Sequence, residues 1–252
     1  MREVLIPLIL SFIAGSATGI GGLIVIIFGD IQERVLGFFL GFAGGVMLVI
    51  SFLQLFIQAL SILDHLHVTI AFTFGTIFMM IIDLTLPHVE LGVWEKGITD
   101  VKLFKSSLII AIGMSMHNFP EGIVVSAGYT HMPELGVLVA FMICLHNIPE
   151  GIATVTPMIK SGASRMRSVG LAFISGMMEP IGAIIGSIVL VQVGGTDIIG
   201  YGLGFASGVM TYVTIDELIP VAHEYCSVIH KHIISTGLLL GMLFAQLLSL
   251  II

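Results

Sequence analysis

The sequence predicts an all-α protein that crosses a membrane many times. Hydrophobic residues make up 57% of the 252 residues, charged residues only 10%, and the mean hydropathy is +1.13. A typical soluble domain carries about 25% charged residues. The apolar residues fall into eight runs, each close to the ~20 residues that a helix needs to span the hydrocarbon core. No stretch is left for a soluble domain, so we expect a single transmembrane domain over residues 1–252.

The eight runs define the predicted helices in chain order. Each run combines apolar residues with few charges, and the longest loop between runs covers about residues 88–105. The first run lacks a basic start and a small-residue cleavage site, which favours a retained helix over a signal peptide. The predicted spans are about residues 4–28, 35–58, 66–87, 106–128, 134–157, 168–192, 198–219 and 233–252.

The positions of the cations predict the orientation, because short loops rich in Lys and Arg stay in the cytoplasm. Eight of the nine lysines and arginines lie in the loops that follow helices 1, 3, 5 and 7, which are all on one side of the membrane. Only Arg2 lies on the other side. Both termini are therefore expected outside the cytoplasm. The net charge of −7 comes from acids in loops and inside helices and gives no reason to expect nucleic acid binding. The cations on the cytoplasmic side are Arg34, Lys96, Lys102, Lys105, Lys160, Arg165, Arg167 and Lys231.

Two short motifs recur along the chain. The sequence Phe-Ala-Gly-Gly-Val-Met at 42–47 returns 163 residues later as Phe-Ala-Ser-Gly-Val-Met at 205–210, and 11–15 resembles 172–176 at an offset of 161. Helices 1 and 2 thus correspond to helices 6 and 7, and helix 3 pairs with helix 8 by position. Because a shift of five helices reverses the direction through the membrane, the sequence predicts an inverted repeat in a 3+2+3 arrangement, which is typical of transporters.

Helices 4 and 5 carry two copies of one polar motif. The sequence His-Asn-x-Pro-Glu-Gly occupies residues 117–122 and again residues 146–151. Its histidine and glutamate are four residues apart and lie on one face of a helix, while its proline removes a backbone hydrogen bond and kinks the helix. Counted from the loop cations at 1.5 Å per residue, His117, His146 and Glu179 lie at a similar depth near mid-membrane. Ionisable groups at that depth usually mark an ion or substrate path.

These polar residues offer a mixed set of nitrogen and oxygen donors, which suits Zn²⁺, Fe²⁺, Mn²⁺ or Cd²⁺ better than Ca²⁺ or Mg²⁺. The set exceeds the four ligands of a structural zinc site, so either two metals bind or the ligands act in turn. A structural hydrogen bond is the alternative for one His–Glu pair, and a bridge between helices is the alternative for the asparagines. Two identical copies of the motif at the same depth in the membrane favour a metal site over these structural alternatives. The candidate ligands are His117, Asn118, Glu121, His146, Asn147, Glu150 and Glu179.

On these motifs the chain resembles the ZIP family of divalent metal transporters, and most closely its GufA-like branch. The resemblance covers nearly the whole chain, from the eight helices to the two Glu-Gly elements and the glutamate of helix 6. It implies that the candidate ligands form a binuclear site with Glu121 and Glu150 at its centre and Glu179 capping or bridging. It also implies import of zinc, cadmium, iron or manganese by alternating access, a multi-pass location in the cell membrane, and compatibility with a homodimer.

The resemblance adds ligand positions outside the twin motif. Met47 on helix 2 matches a methionine that approaches the site in some relatives, although a methionine in an apolar helix is also ordinary packing. Asp83 and His88 at the inner end of helix 3, with Asp216 and Glu217 on helix 7, match exit-side metal positions. Solvated carboxylates at helix ends are the alternative interpretation of these acids.

Two other functional classes use the same residues. A membrane-embedded metalloenzyme could hold its metal on histidine and glutamate, but the His-Glu-x-x-His motif of an intramembrane zinc protease is absent. The candidate ligands also lie at mid-depth inside a repeat, which favours a transporter over an enzyme. A metal-selective channel is the second alternative, and the inverted repeat favours alternating access over an open pore.

Overall fold

The regular structure of this chain is helical throughout its described part. The computed structural model describes residues 2–29, 31–85, 97–193, 195–225 and 231–250. Its helices form eight apolar segments, of which seven are long and apolar enough to cross a membrane. The eighth is a shorter apolar helix over His232–Leu248. This confirms the prediction of an all-α polytopic membrane protein.

The segments follow the predicted spans and are numbered α1 to α8. Three of them consist of consecutive helical pieces. They are α1 (Arg2–Phe28), α2 (Glu33–Val49, Ile50–Phe56 and Ile57–Ile62), α3 (His65–Thr85), α4 (Val101–His131), α5 (Pro133–Lys160), α6 (Arg165–Gly176 and Met178–Val193), α7 (Thr196–Tyr212, Val213–Leu218 and Ile219–Tyr225) and α8 (Lys231–Leu248).

Local sequence accounts for several helix ends. The side chain of Asp100 accepts a hydrogen bond of 2.9 Å from the Leu103 N–H, which caps the start of α4. Pro133 occupies the first position of α5, where no backbone donor is needed. Gly29 after α1 and Gly162 after α5 adopt φ values of 78° and 93°, which a residue with a Cβ rarely adopts. These ends keep the connections short.

The burial pattern places α5 inside the bundle and α3 on its outside. The hydrophobic window of α5 is 72% buried, whereas that of α3 is 22% buried. Large apolar side chains are exposed along α3 and α8, as expected for surfaces that face lipid. They include Ile70, Phe74, Ile81, Leu239, Leu243 and Leu247.

Glycines set the closest contacts between helices. A Cβ added to Gly15 of α1 or to Gly176 of α6 would come closer than 3.0 Å to the carbonyl oxygen of the other glycine. Gly122, which closes the motif of α4, lies in the same way against the carbonyl of Glu179 on α6. Gly151, which closes the motif of α5, lies against the carbonyl of Thr18 on α1. Small residues therefore bring both motifs close to their neighbouring helices.

Three local irregularities depart from the simple predicted spans. The pieces Ile50–Phe56 of α2 and Val213–Leu218 of α7 are π-helical and begin 163 residues apart, the same offset as the repeated motif. The predicted single span 168–192 is interrupted at Met177, whose N–H turns back to the carbonyls of Phe173 and Ile174. The new helix starts with Pro180 in its first turn, where proline is tolerated. Glu179 thus lies at a helix start inside the bundle.

We expect Gly176→Ala to destabilise the protein, because the added methyl group forces α1 and α6 apart at their closest contact. Overpacking of this kind costs about 1–3 kcal/mol in free energy of unfolding. Gly170→Ala is the matched control on the same helix, since its Cβ would meet nothing within 4 Å. Thermal unfolding followed by circular dichroism in detergent checks both variants. Equal melting temperatures for the two would contradict the glycine contact.

Candidate metal centre

The two copies of the motif face each other where α4 crosses α5. The Nε2 atom of His146 lies 3.1 Å from Oε1 of Glu121, and the Nε2 atom of His117 lies 3.6 Å from Oε2 of Glu150. All four residues are at most 2% exposed. The histidine of each motif therefore approaches the glutamate of the other, and the pairing is reciprocal.

Three of these residues have the geometry of a metal site. One ligand atom each from Glu121, His146 and Glu150 lies within 4.8 Å of the other two. Bonds of about 2.1 Å from zinc to nitrogen or oxygen place tetrahedral ligands about 3.4 Å apart, close to the 3.1 Å between His146 and Glu121. Small side-chain movements are enough to enclose a divalent ion. In the described part of the chain no other group of three His, Cys, Asp or Glu residues meets this criterion.

Asn147 connects the motif of α5 to two further helices. Its Nδ2 donates a 2.9 Å hydrogen bond to the carbonyl of Ala14 on α1 and a second, short one to Oε1 of Glu179 on α6. The expected alternative of a bridge between helices is therefore present. Because the amide nitrogen makes both bonds, Oδ1 of Asn147 stays buried without a protein hydrogen-bond partner among the described residues. Bridging and metal ligation are thus compatible for this residue.

Asn118 occupies the matching position on α4 but makes no such bridge. It is fully buried, and neither Nδ2 nor Oδ1 has a hydrogen-bond partner within the described chain. A buried amide without partners costs free energy, which a bound ion, a water molecule or a partner in another conformation can recover. The two asparagines therefore differ in this structure although their motifs are identical.

Four of the six carboxylate oxygens of the three buried glutamates have no protein hydrogen-bond partner within the described residues. They are Oε2 of Glu121, both carboxylate oxygens of Glu150 and Oε2 of Glu179. Imidazoles bind metal in the neutral form, so in the metal-binding state three ionised glutamates leave a charge of −3. An uncompensated buried charge costs several kcal/mol. One divalent cation reduces the charge to −1 and a second raises it to +1, so the residues fit one or two such ions.

A continuous set of acids leads away from the twin motif. The Nδ1 atom of His117 lies 3.2 Å from Oε2 of Glu217, which belongs to the π-helical piece of α7. A carboxylate at this position orients a ligating imidazole. A cavity of about 250 Å³ extends from His117 and Glu150 past Glu217 and Asp216 to Asp83. Glu217, placed by sequence at the exit, thus directly contacts the midplane motif.

Tyr212 joins the two aspartates of this cavity and was not singled out by sequence. Its hydroxyl oxygen lies 3.1 Å from Oδ2 of Asp83 on α3 and 3.1 Å from Oδ2 of Asp216 on α7. Tyr212 and Asp216 are four residues apart, which was the available sequence signal. Met47 is fully buried in the apolar core, and its role as a ligand stays a prediction. His88 lies outside the described residues.

Apolar side chains cover the other side of the motif. Met142 and Ile143 precede the α5 motif and Val124 follows the α4 motif, so all three lie toward the loop between α4 and α5. Each of them is fully buried, as are Ile50 of α2 and Leu203 of α7. Within the described residues, the cavity that reaches His117 and Glu150 therefore extends toward the cation-rich loops, and buried apolar side chains lie on the opposite side of the motif.

The comparisons with known proteins identify the family. A family model described as ZIP Zinc transporter matches residues 94–249, which include both motifs, Glu179 and the acids of α7. The chain belongs to the ZIP zinc transporter family. The zinc transporter ZupT of Chlorobaculum parvum is 35% identical over 99% of this chain and 98% of the relative.

Two further ZIP relatives come from distant organisms. The zinc transporter ZupT of Streptococcus mutans is 32% identical over 93% of both chains. The zinc transporter ZTP29 of Arabidopsis thaliana is 34% identical over 88% of this chain and 87% of the relative. Membership in the ZIP family makes the protein a multi-pass protein of the cell membrane and a divalent metal transporter rather than an enzyme.

We expect Glu150→Gln to lower the melting temperature of the metal-free protein and to remove its stabilisation by zinc. The substitution keeps the size of the side chain but removes the charge next to His117, and breaking a buried pair is destabilising. The same carboxylate is a candidate metal ligand. Zinc at one hundred times its Kd stabilises a binding protein by about 2.7 kcal/mol. Thermal unfolding in detergent, with a chelator and with zinc, measures both effects.

Glu134→Gln is the matched control for this test. Glu134 lies in the exposed first turn of the same helix, away from the twin motif. We expect it to leave the metal-free melting temperature and the zinc shift nearly unchanged. A full zinc shift in Glu150→Gln would show that zinc binds elsewhere.

Proposed function

We propose that the protein imports Zn²⁺ into the cytoplasm by alternating access, through a binuclear site on α4, α5 and α6. The observation that carries this proposal is the reciprocal pairing of His117 with Glu150 and of His146 with Glu121 inside the bundle. Relatives named as zinc transporters support zinc as the cargo. The same nitrogen and oxygen donors suit Cd²⁺, Fe²⁺ and Mn²⁺.

The proposal of two metal ions follows from the donors and from the charge. Glu121, His146 and Glu150 meet closely enough for one ion. Asn147 and Glu179 are linked to each other beside them and keep Oδ1 and Oε2 without protein partners among the described residues, which supports a second ion there. Three glutamates also balance two divalent ions to within one charge.

We propose further that α1–α3 and α6–α8 form an inverted repeat around α4 and α5, within one transporter domain whose termini lie outside the cytoplasm. Gly21 of α1 lies against the carbonyl of Ile148, and Gly182 of α6 lies against the carbonyl of Phe119. The two glycines are 161 residues apart and the two carbonyls 29 residues apart, which are the offsets of the repeat and of the twin motif. The π-helical pieces of α2 and α7 support the same correspondence.

The repeat suggests how access alternates. The structure has a cavity on the cation-rich side, which the positive-inside rule assigns to the cytoplasm, and packed apolar side chains on the other side. In our proposal α1, α4, α5 and α6 slide against the remaining helices, which opens the outer side and closes the inner cavity. A channel would instead need one continuous path.

The inner acids give the metal a route out in this proposal. Metal arrives from outside and loses water to the midplane ligands. Glu217 then receives it, since this carboxylate lies both in the cavity and next to His117. Asp216 and Asp83 line the remaining path to the cytoplasm, where the predicted ligand His88 follows in the chain.

Zinc influx into proteoliposomes with a trapped fluorescent indicator tests the proposed function. We expect saturable influx with the intact chain and none with Glu121→Ala, because this variant removes a central ligand and the partner of His146. Glu134→Ala, at the exposed start of α5, is the control that should transport normally. Absence of influx from folded protein that binds zinc would contradict a transport function.

Glu217→Gln tests the exit route separately. We expect the maximal influx rate to fall several-fold while equilibrium zinc binding changes little, because the amide oxygen of glutamine can still accept a hydrogen bond from His117 but lacks the charge that receives the metal. The outer end of α7 offers Asp197→Asn as a control, which removes a carboxylate of the same helix far from the cavity. Parallel measurement of influx and of zinc binding separates release from binding. If influx through Glu217→Gln matched the intact chain, the exit route would not pass this residue.

A further inference from the structure

An apolar groove lies on the side of the bundle, between α1, α2, α5 and α8. Its volume is about 480 Å³, and every residue that lines it is apolar. Phe28, Val35 and Phe39 line the groove and are also 76%, 42% and 44% exposed. The groove therefore opens sideways, toward the acyl chains of the bilayer.

One end of this groove meets a charged rim. A polar cavity of about 370 Å³ is lined by Ile31, Gln32, Glu33, Arg34 and Lys160. Ile31 also lines the groove, so the charged rim borders the apolar groove at this residue. The rim carries two cations and one acid, and thus a net charge of +1. These cations belong to the loops that the positive-inside rule assigns to the cytoplasm.

We propose that the groove and its rim bind one phospholipid of the inner leaflet with an anionic headgroup. The acyl chain fills the apolar groove, and the phosphate meets Arg34 and Lys160. Arginine matches phosphate geometry with paired donors, and lysine adds a point charge. The inference rests on the orientation given with the proposed function, because that orientation places the rim at the cytoplasmic headgroups.

The proposed repeat supplies an internal comparison. A second apolar groove of about 390 Å³ lies between α3, α4, α6 and α7. Phe42 lines the first groove and Phe205 the second, and these residues are 163 positions apart. The residue 163 positions after Arg34 is Asp197, so the equivalent position carries the opposite charge. Anionic selectivity is therefore expected at the inner groove and not at the outer one.

The lipid would touch the back of the metal site. Ile148 and Pro149 line the groove and lie between the ligands Asn147 and Glu150. The groove also contacts α1 and α5 on one wall and α2 and α8 on the other, which are the two groups of helices that slide in the proposed mechanism. The bound lipid is thus placed at the sliding interface.

Native mass spectrometry of the purified full chain without metal tests this site. The probes are phosphatidylglycerol and phosphatidylcholine with identical acyl chains. One net cation near a membrane surface favours an anionic lipid about fivefold, so the intact chain should retain phosphatidylglycerol about fivefold more. The double variant Arg34→Gln/Lys160→Gln leaves Glu33 and a net charge of −1 at the rim, so it should lose this preference and retain phosphatidylglycerol less than phosphatidylcholine. No preference in the intact chain, or an unchanged preference in this variant, overturns the proposal.

Control variants separate the charge from the groove. Arg165→Gln/Arg167→Gln removes two cations of the same membrane side outside the groove, and should keep the preference. Val35→Trp fills the groove and should reduce retention of both lipids. Arg34 is exposed, so the single variant Arg34→Gln gives the answer if the double variant does not fold. Loss of the preference in the Arg165→Gln/Arg167→Gln control would contradict a local site.

The lipid-binding proposal and the transport proposal are tested by separate measurements, so either can be contradicted without the other. The lipid measurement contains no zinc, and the influx measurement does not depend on headgroup selectivity. Zinc influx without any lipid preference would overturn only the lipid site. A lipid preference without influx would contradict the proposed function and leave the charged groove in place.

Discussion

The structure depends on the need to balance three glutamates inside a membrane. Glu121, Glu150 and Glu179 are at most 1% exposed, and no lysine or arginine is among the buried residues of the described chain. Buried carboxylates are costly unless a positive charge lies next to them. In our proposal two imidazoles stay neutral to bind metal, so the compensating charge comes from the divalent cation that is transported.

Close helix contacts make this arrangement possible. The glycine that ends each motif lets α4 lie against α6 and α5 against α1. Asn147 then ties α5 to both α1 and α6 through a single amide group. Because Gly122 lies against the carbonyl of Glu179, the same contact that packs the helices also places the third glutamate beside the motif. The same residues therefore pack the helices together and position the candidate ligands.

The sequence predicts those features that depend on the length of apolar runs, on the position of polar residues within them and on repeated motifs. The helical spans, the twin motif and the burial of its ligands follow from apolar runs and from the cost of charge in lipid. The break at Met177 and the π-helical pieces were not predicted, because a run of apolar residues has the same composition whether the helix in it is regular or interrupted. Spacing places His117 and Glu121 on one face of a helix, yet the structure brings His117 to Glu217 and Glu150 and pairs Glu121 with His146. The role of Tyr212 needed the positions of α3 and α7 for the same reason.

In our proposal zinc occupies the crossing of the two motifs. Anomalous diffraction at the zinc absorption edge, on crystals of the zinc-loaded full chain, would locate the ion. We expect a peak about 2.0–2.2 Å from ligand atoms of Glu121, His146 and Glu150. Zinc peaks confined to surface histidines, with none between α4 and α5 in protein that transports zinc, would contradict it.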